Sequence, residues 1–152
     1  MDSFDHIIMS VRGKYDSLLS SPVFRIAQLP KDLPEAGIYI ISKHSKVLYV
    51  GRSNCIRKRL QYHTRNNHNQ ATFAFLLARY ETGNLKASYK PEGSRKQLLE
   101  NAVFREAFDK AREDIRKMDV QVVEENDPVN QAILEIFTAH KTKAKYNNFD
   151  NH

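Results

Sequence analysis

Two short runs of β-forming residues, 37–42 (GIYIIS) and 46–51 (KVLYVG), lie three residues apart, and this spacing constrains the fold more than any other feature. Both are rich in Ile, Val, Leu and Tyr, which favour strands. The intervening Lys43-His44-Ser45 suits a hairpin turn. With a three-residue turn, Ile41 pairs with Val47, Tyr39 with Tyr49, and Gly37 with Gly51. Side chains alternate along a strand, so both phenols stand on one face in this register. A one-residue slip would send them to opposite faces.

A helix is expected next, over roughly 55–66, capped by Ser53 or Asn54. Ile56 and Leu60 form its apolar stripe. Arg59 and His63, four residues apart, share a face bordering that stripe. Arg57 and Lys58 point away, toward solvent or a phosphate backbone. Residues 3–20 read as a helix with Phe4, Ile7, Ile8, Val11, Tyr15, Leu18 and Leu19 at helical spacing. Residues 23–29 suggest a short edge strand. Residues 71–80 form a helix with Phe73, Leu76, Leu77 and Tyr80 inward, stopped near Gly83. Ser94 opens a capping-box pattern with Gln97, and one long helix is expected from there to about Lys117. The alternation in 119–124 (DVQVVE) predicts a third strand. Asp127-Pro128 starts a last helix, a cap followed by proline in the first turn. Its inward face is read as Val129, Ala132, Ile133, Ile136, Phe137 and His140. Glu135 lies off that face between Ala132 and Ala139. Tyr146 and Phe149 are expected to pack back onto the body.

Charge narrows the class of partner. The formal net charge is +6. Residues 35–70 hold seven Lys or Arg against the single acid Glu35, so this stretch alone accounts for the excess. A polyanion such as DNA or RNA is expected to meet the chain there, at Lys43, Arg52, Arg57, Lys58 and Arg65. No apolar run approaches the roughly 18 residues that would cross a bilayer. The N-terminus lacks the basic and apolar regions of a secretory signal, so a cytoplasmic protein is expected. Cys55 is the only cysteine, which excludes an intrachain disulfide and a cysteine-based zinc site.

Phosphodiester hydrolysis needs an activated water, charge to stabilise the developing phosphorane, a proton for the leaving oxygen, and usually a cation. The chain offers a candidate for each. Tyr39 and Tyr49 could orient or deprotonate water. Arg59 can bond two phosphate oxygens. His63 exchanges protons near neutral pH. Glu135 could hold a hard cation such as Mg²⁺, or Mn²⁺ in its place, through one carboxylate with waters and phosphate.

Gly37-Ile38-Tyr39 and Tyr49-Val50-Gly51, followed by Arg59, His63, Glu135 and Tyr146-Asn147, resemble the GIY-YIG nuclease family over roughly 35–149. The resemblance implies an α+β domain built on a small three-stranded antiparallel sheet flanked by helices, in agreement with the strands and helices read above. It implies that Tyr39 is the base or water-orienting phenol and that Tyr49 assists. Arg59 would stabilise the transition state, His63 would take part in proton transfer, and Glu135 would bind the divalent metal. Gly51 would let the backbone or substrate come close, and Gly37 and Asn147 would support the site. Three readings of function follow: a DNA endonuclease, an RNA nuclease, or an inactive nucleic-acid-binding module of the same fold. Residues 1–34 are expected to form a helix and linker on the core, and 35–152 the nuclease-like domain, the whole one globular unit. Helical insert 71–117, before the last strand, exceeds the minimal family core. Either the insert and the N-terminal helix supply recognition, or the enzyme is weakly specific, or a partner protein targets it; double-strand cleavage would need a homodimer or sequential nicks. The late helix is expected to bring Glu135 against the hairpin face that bears the phenols.

Overall fold

The computed structural model describes residues 2–83 and 95–147. Its elements run α1 (Ser3–Leu19), β1 (Gly37–Lys43), β2 (Lys46–Ser53), α2 (Ile56–Tyr62), α3 (Thr72–Thr82), α4 (Arg95–Glu100), α5 (Ala102–Arg116), β3 (Asp119–Glu124) and α6 (Pro128–Thr142). They fall into two compact units, divided after Arg59 and after Lys117.

The first unit holds the sheet, a three-stranded antiparallel arrangement in the order β2-β1-β3. β1 is central, and all its residues but Lys43 are buried. β3 has the bounds expected from its alternation. Ile38, Ile40 and Val50 carry one sheet face into a core with Val11 and Leu18 of α1 and Leu134 and Ala139 of α6. A capping box starts α1, in which Asp2 accepts from the Asp5 amide at 2.8 Å. Phe4 and Leu19, read as part of its apolar face, are exposed. Residues 23–29 form no strand; Phe24 alone bridges the outer edge of β3, exchanging two backbone bonds with Val120.

The hairpin register differs from expectation by two residues. Tyr39 faces Gly51, Ile41 faces Tyr49, and Gly37 faces Ser53. Two local features cause this. The turn has two residues, not three: Lys43 pairs with Lys46, and His44 and Ser45 both take positive φ, at 52° and 63°. This sign pattern matches the right-handed strand twist at a tight hairpin. The shorter turn alone would place the phenols on opposite faces. A bulge follows, because Ile41 pairs with Tyr49 while Ser42 pairs with Val47, which leaves Leu48 as the extra residue. The second shift restores the phase, so Tyr39, Tyr49 and Gly51 share a face after all.

Asp127 caps α6, accepting from the Val129 and Asn130 amides at 3.0 and 2.9 Å. The helix is rotated from the expected orientation. Gln131, Leu134, Thr138 and Ala139 are buried, whereas Val129 and Ile136 are more than half exposed. Burying Gln131 is cheap because its amide nitrogen donates to Glu125 O at 2.9 Å and Asn54 Oδ1 at 3.2 Å. Consequently α6 packs on the sheet face of Ile38, Ile40 and Val50, not on the face of the phenols.

In the second unit, Phe75 of α3 packs against Phe104 and Phe108 of α5, with ring centroids 5.1 and 6.2 Å away. Phe75 and Ala78 are buried, while Tyr80, expected inward, is exposed. The expected long helix is broken. Asn101 accepts from the Val103 and Phe104 amides and starts α5 anew. Ser94, the break at 91–93 and Phe149 lie outside the described residues.

Candidate active site

Tyr39 lies in the middle of β1 with 0% of its surface exposed. The space it fills is left by its cross-strand partner. A Cβ placed on Gly51 would lie 2.3 Å from both Cζ and Oη of Tyr39. Gly37 is equally constrained, since a Cβ there would come within 2.0 Å of the Val123 carbonyl oxygen. Tyr49, two residues before Gly51, is half-buried, and the two phenol rings lie 6.4 Å apart at a 40° tilt.

Arg59 joins the phenols from α2. That helix is shorter than expected, but its start is well held: the Ile56 amide donates to Glu35 O at 2.8 Å, and Ile56 itself is fully buried. The guanidinium is half-buried and hydrogen-bonds both Tyr39 and Tyr49. Burial opposes its charge, but the two phenols outweigh that and favour the guanidinium cation. Burial pushes the Tyr39 phenol far above its usual value, and Tyr49 adds to this. Arg59 opposes the shift through charge and hydrogen bond, and Glu135 contributes a smaller upward push. Tyr39 is therefore a neutral phenol at physiological pH.

Glu135 comes from the other face of the sheet, yet close enough for its charge to act on Tyr39. Burial raises its carboxyl above the usual range, and Arg52 partly offsets this from 3.8 Å. Among the described residues no three His, Cys, Asp or Glu side chains gather as metal ligands. A single half-buried carboxylate within electrostatic reach of Tyr39 suits a hard cation that keeps most of its waters, as Mg²⁺ does. The chemistry of the Glu135 carboxylate thus fits such an ion.

Asn147 works through the backbone. Its side-chain nitrogen donates to Val50 O at 2.7 Å, and its oxygen accepts from the Val50 amide at 2.8 Å. The Tyr146 amide donates to Leu48 O at 2.9 Å. Together they pair with the outer edge of β2 on either side of Tyr49, where the bulge has bent the strand.

The remaining candidates are more dispersed. His63 falls just past α2, in a turn where its amide reaches Leu60 O, and belongs to the second unit. Its ring is wholly buried, edge-on to Phe73 at 6.2 Å. Lys43 and Lys58 are exposed. Arg65 is exposed and stacks over Tyr62 at 4.6 Å. Arg57 donates to Pro30 O and Lys31 O at 2.5 and 3.0 Å, tying down the loop before β1. The contact of Arg52 with Glu135 went unread in the sequence. Its one signal there is adjacency to Gly51, which says nothing about a residue in α6.

No helix among the described residues is long and apolar enough to cross a membrane. No curated protein and no solved structure matches the chain. A family model for the GIY-YIG catalytic domain matches residues 35–147, the span that contains both phenols, the glycine beneath Tyr39, the arginine joining them, Glu135 and Asn147. The chain belongs to the GIY-YIG family.

Proposed function

We propose that this protein is a divalent-metal-dependent endonuclease that hydrolyses phosphodiester bonds in DNA. Domains of the family are generally nucleases and typically use divalent metal ions. The observation that carries the reading is Arg59 hydrogen-bonded to both Tyr39 and Tyr49, with Tyr39 in the field of Glu135.

In the reaction the oxygen of water bonds to phosphorus, and the bond from phosphorus to the leaving oxygen breaks. Tyr39, neutral and buried, orients the attacking water through its hydroxyl rather than resting as a phenolate. Tyr49 is less buried and contacts a phosphate oxygen. Arg59 meets the negative charge that develops on the phosphorane, where a preorganised cation in a half-buried site is most effective. His63 takes part in proton transfer, an assignment that rests on the family resemblance. Glu135 would hold Mg²⁺ or Mn²⁺, which when bound supplies Lewis-acid stabilisation of the phosphate and acidifies water. Lys43 and Lys58 contact the nucleic-acid backbone, Arg52 and Arg57 add positive charge, and Arg65 of the second unit also contacts the backbone.

The test is a cleavage assay with Mg²⁺ on linear, supercoiled, branched and single-stranded DNA, beside RNA competitors and the Arg59→Ala and Glu135→Ala variants. Wild-type cleavage lost in both variants is expected. Cleavage that survives Glu135→Ala overturns the metal assignment. Binding without cleavage across substrates and metals makes the protein a binding module instead.

A further inference from the structure

We propose that Arg52 is an internal counter-ion for Glu135, displaced when a divalent cation binds and thereby freed to meet a backbone phosphate. The proposal rests on the reading of Glu135 as cation ligand. Arg52 Nε lies 3.8 Å from Glu135 Oε1. That separation is beyond hydrogen-bond range, so the hold is electrostatic and readily broken. The two partners are unequally exposed: the Arg52 side chain is 45% exposed and the Glu135 side chain 23%. The guanidinium is therefore the partner better placed to move out toward solvent. Arg52 lies near the end of β2, beyond the stretch that Tyr146 and Asn147 cover, and its 45% exposed side chain has room to swing.

A guanidinium and a divalent cation on one carboxylate repel each other. Cation binding must then push Arg52 outward, and a phosphate that captures Arg52 must leave Glu135 open. The two events assist one another, and by linkage the assistance is reciprocal. Arg52 so acts as a positioning residue that ties metal loading to the presence of a nucleic-acid strand.

The test uses the full chain with Arg52→Met, Arg52→Lys and Glu135→Gln. Mn²⁺ binding is followed by the electron paramagnetic resonance of the free ion, without nucleic acid. Duplex binding is followed by fluorescence anisotropy with and without Ca²⁺. Arg52→Met is expected to bind Mn²⁺ roughly 5-fold tighter or more than wild type, and to lose most of the Ca²⁺ enhancement of duplex binding. Arg52→Lys, which keeps the charge, is expected to stay near wild type in both. Unchanged or weaker Mn²⁺ binding by Arg52→Met, no binding by either protein, or an undiminished Ca²⁺ enhancement overturns the proposal. Glu135→Gln binding Mn²⁺ as well as wild type overturns the metal-ligand reading itself, a separable failure.

Discussion

The hydroxyl end of Tyr39 lies over Gly51, in the volume that any larger residue's Cβ would occupy. Gly51→Ala must therefore displace a fully buried ring from Arg59. Overpacking of this kind costs about 1–3 kcal/mol. Cleavage is expected to fall on the order of 100-fold, as misplacement of a reacting group by about 1 Å does. Chemical denaturation and a cleavage assay read the two losses separately. Wild-type activity in Gly51→Ala would mean that Tyr39 need not lie where it does.

Gly13 provides the opposite case. It sits inside α1, and a Cβ there meets nothing within 4 Å. Gly13→Ala is expected to stabilise the fold by about 0.5–1 kcal/mol with cleavage unchanged. A lower melting temperature would contradict this.

Asn147→Ala leaves the Val50 amide and carbonyl without the partners they have now. A loss of about 1–2 kcal/mol is expected. Because the clamp brackets Tyr49, activity should fall more than stability at a temperature where the variant is folded. Asn147→Asp keeps the acceptor and removes the donor, so it should be no better than Asn147→Ala in cleavage. Full activity in either variant, measured well below its melting temperature, argues against backbone clamping.

The raised value of Tyr39 sets the sign of an alkaline effect. Burial favours the neutral phenol, so the folded chain holds this proton more tightly than the unfolded chain. The resulting stability is complete below the unfolded phenol's value of about 10 and is lost as pH rises above it. Tyr39→Phe is expected to remove that part of the alkaline loss, seen as a smaller difference between denaturation midpoints at pH 8 and pH 11. In the native protein, tyrosinate absorbance developing near pH 10 should be the same for Tyr39→Phe as for wild type. A drop in that amplitude would show an accessible Tyr39.

His63 can be tested by separating packing from proton exchange. His63→Ala opens a cavity and is expected to cost about 2 kcal/mol or more, whatever its catalytic part. His63→Gln keeps volume and hydrogen bonding but has no proton to exchange near neutral pH. A folded His63→Gln with little activity, and with the acidic limb of its pH–rate profile gone, supports proton transfer; full activity assigns His63 to packing.

Much of this architecture could be read along the chain. β3 was legible because its alternation is clean, and the start of α6 because Asp127 and Pro128 act locally. The break at Asn101 was hidden because apolar periodicity continues from Leu98 to Phe104 across it. The buried face of α6 was misjudged because Gln131 and Thr138 do not look like core residues, and only tertiary contacts make Gln131 one. The gathering of Tyr39, Tyr49 and Arg59 was legible through the paired tripeptides. The hairpin register was not. His44-Ser45 lacks the Asn-Gly pattern that announces a two-residue turn, and nothing about Leu48 marks a bulge.

The turn and Leu48 form a compensating pair. The turn removes half a pleat and the bulge returns it, so the facing of the two phenols depends on loop length and bulge jointly. Flattening the bulge while Leu48 stays in the strand would pair Ile41 with Leu48 and rotate Tyr49 to the α6 side, whereas deleting Leu48 together with the bulge leaves Tyr49 opposite Ile41. The distance between the two tyrosines along this chain is thus a phase relation, and a chain that varied it by one residue could keep the chemistry only by changing the turn length or by gaining or losing a bulge.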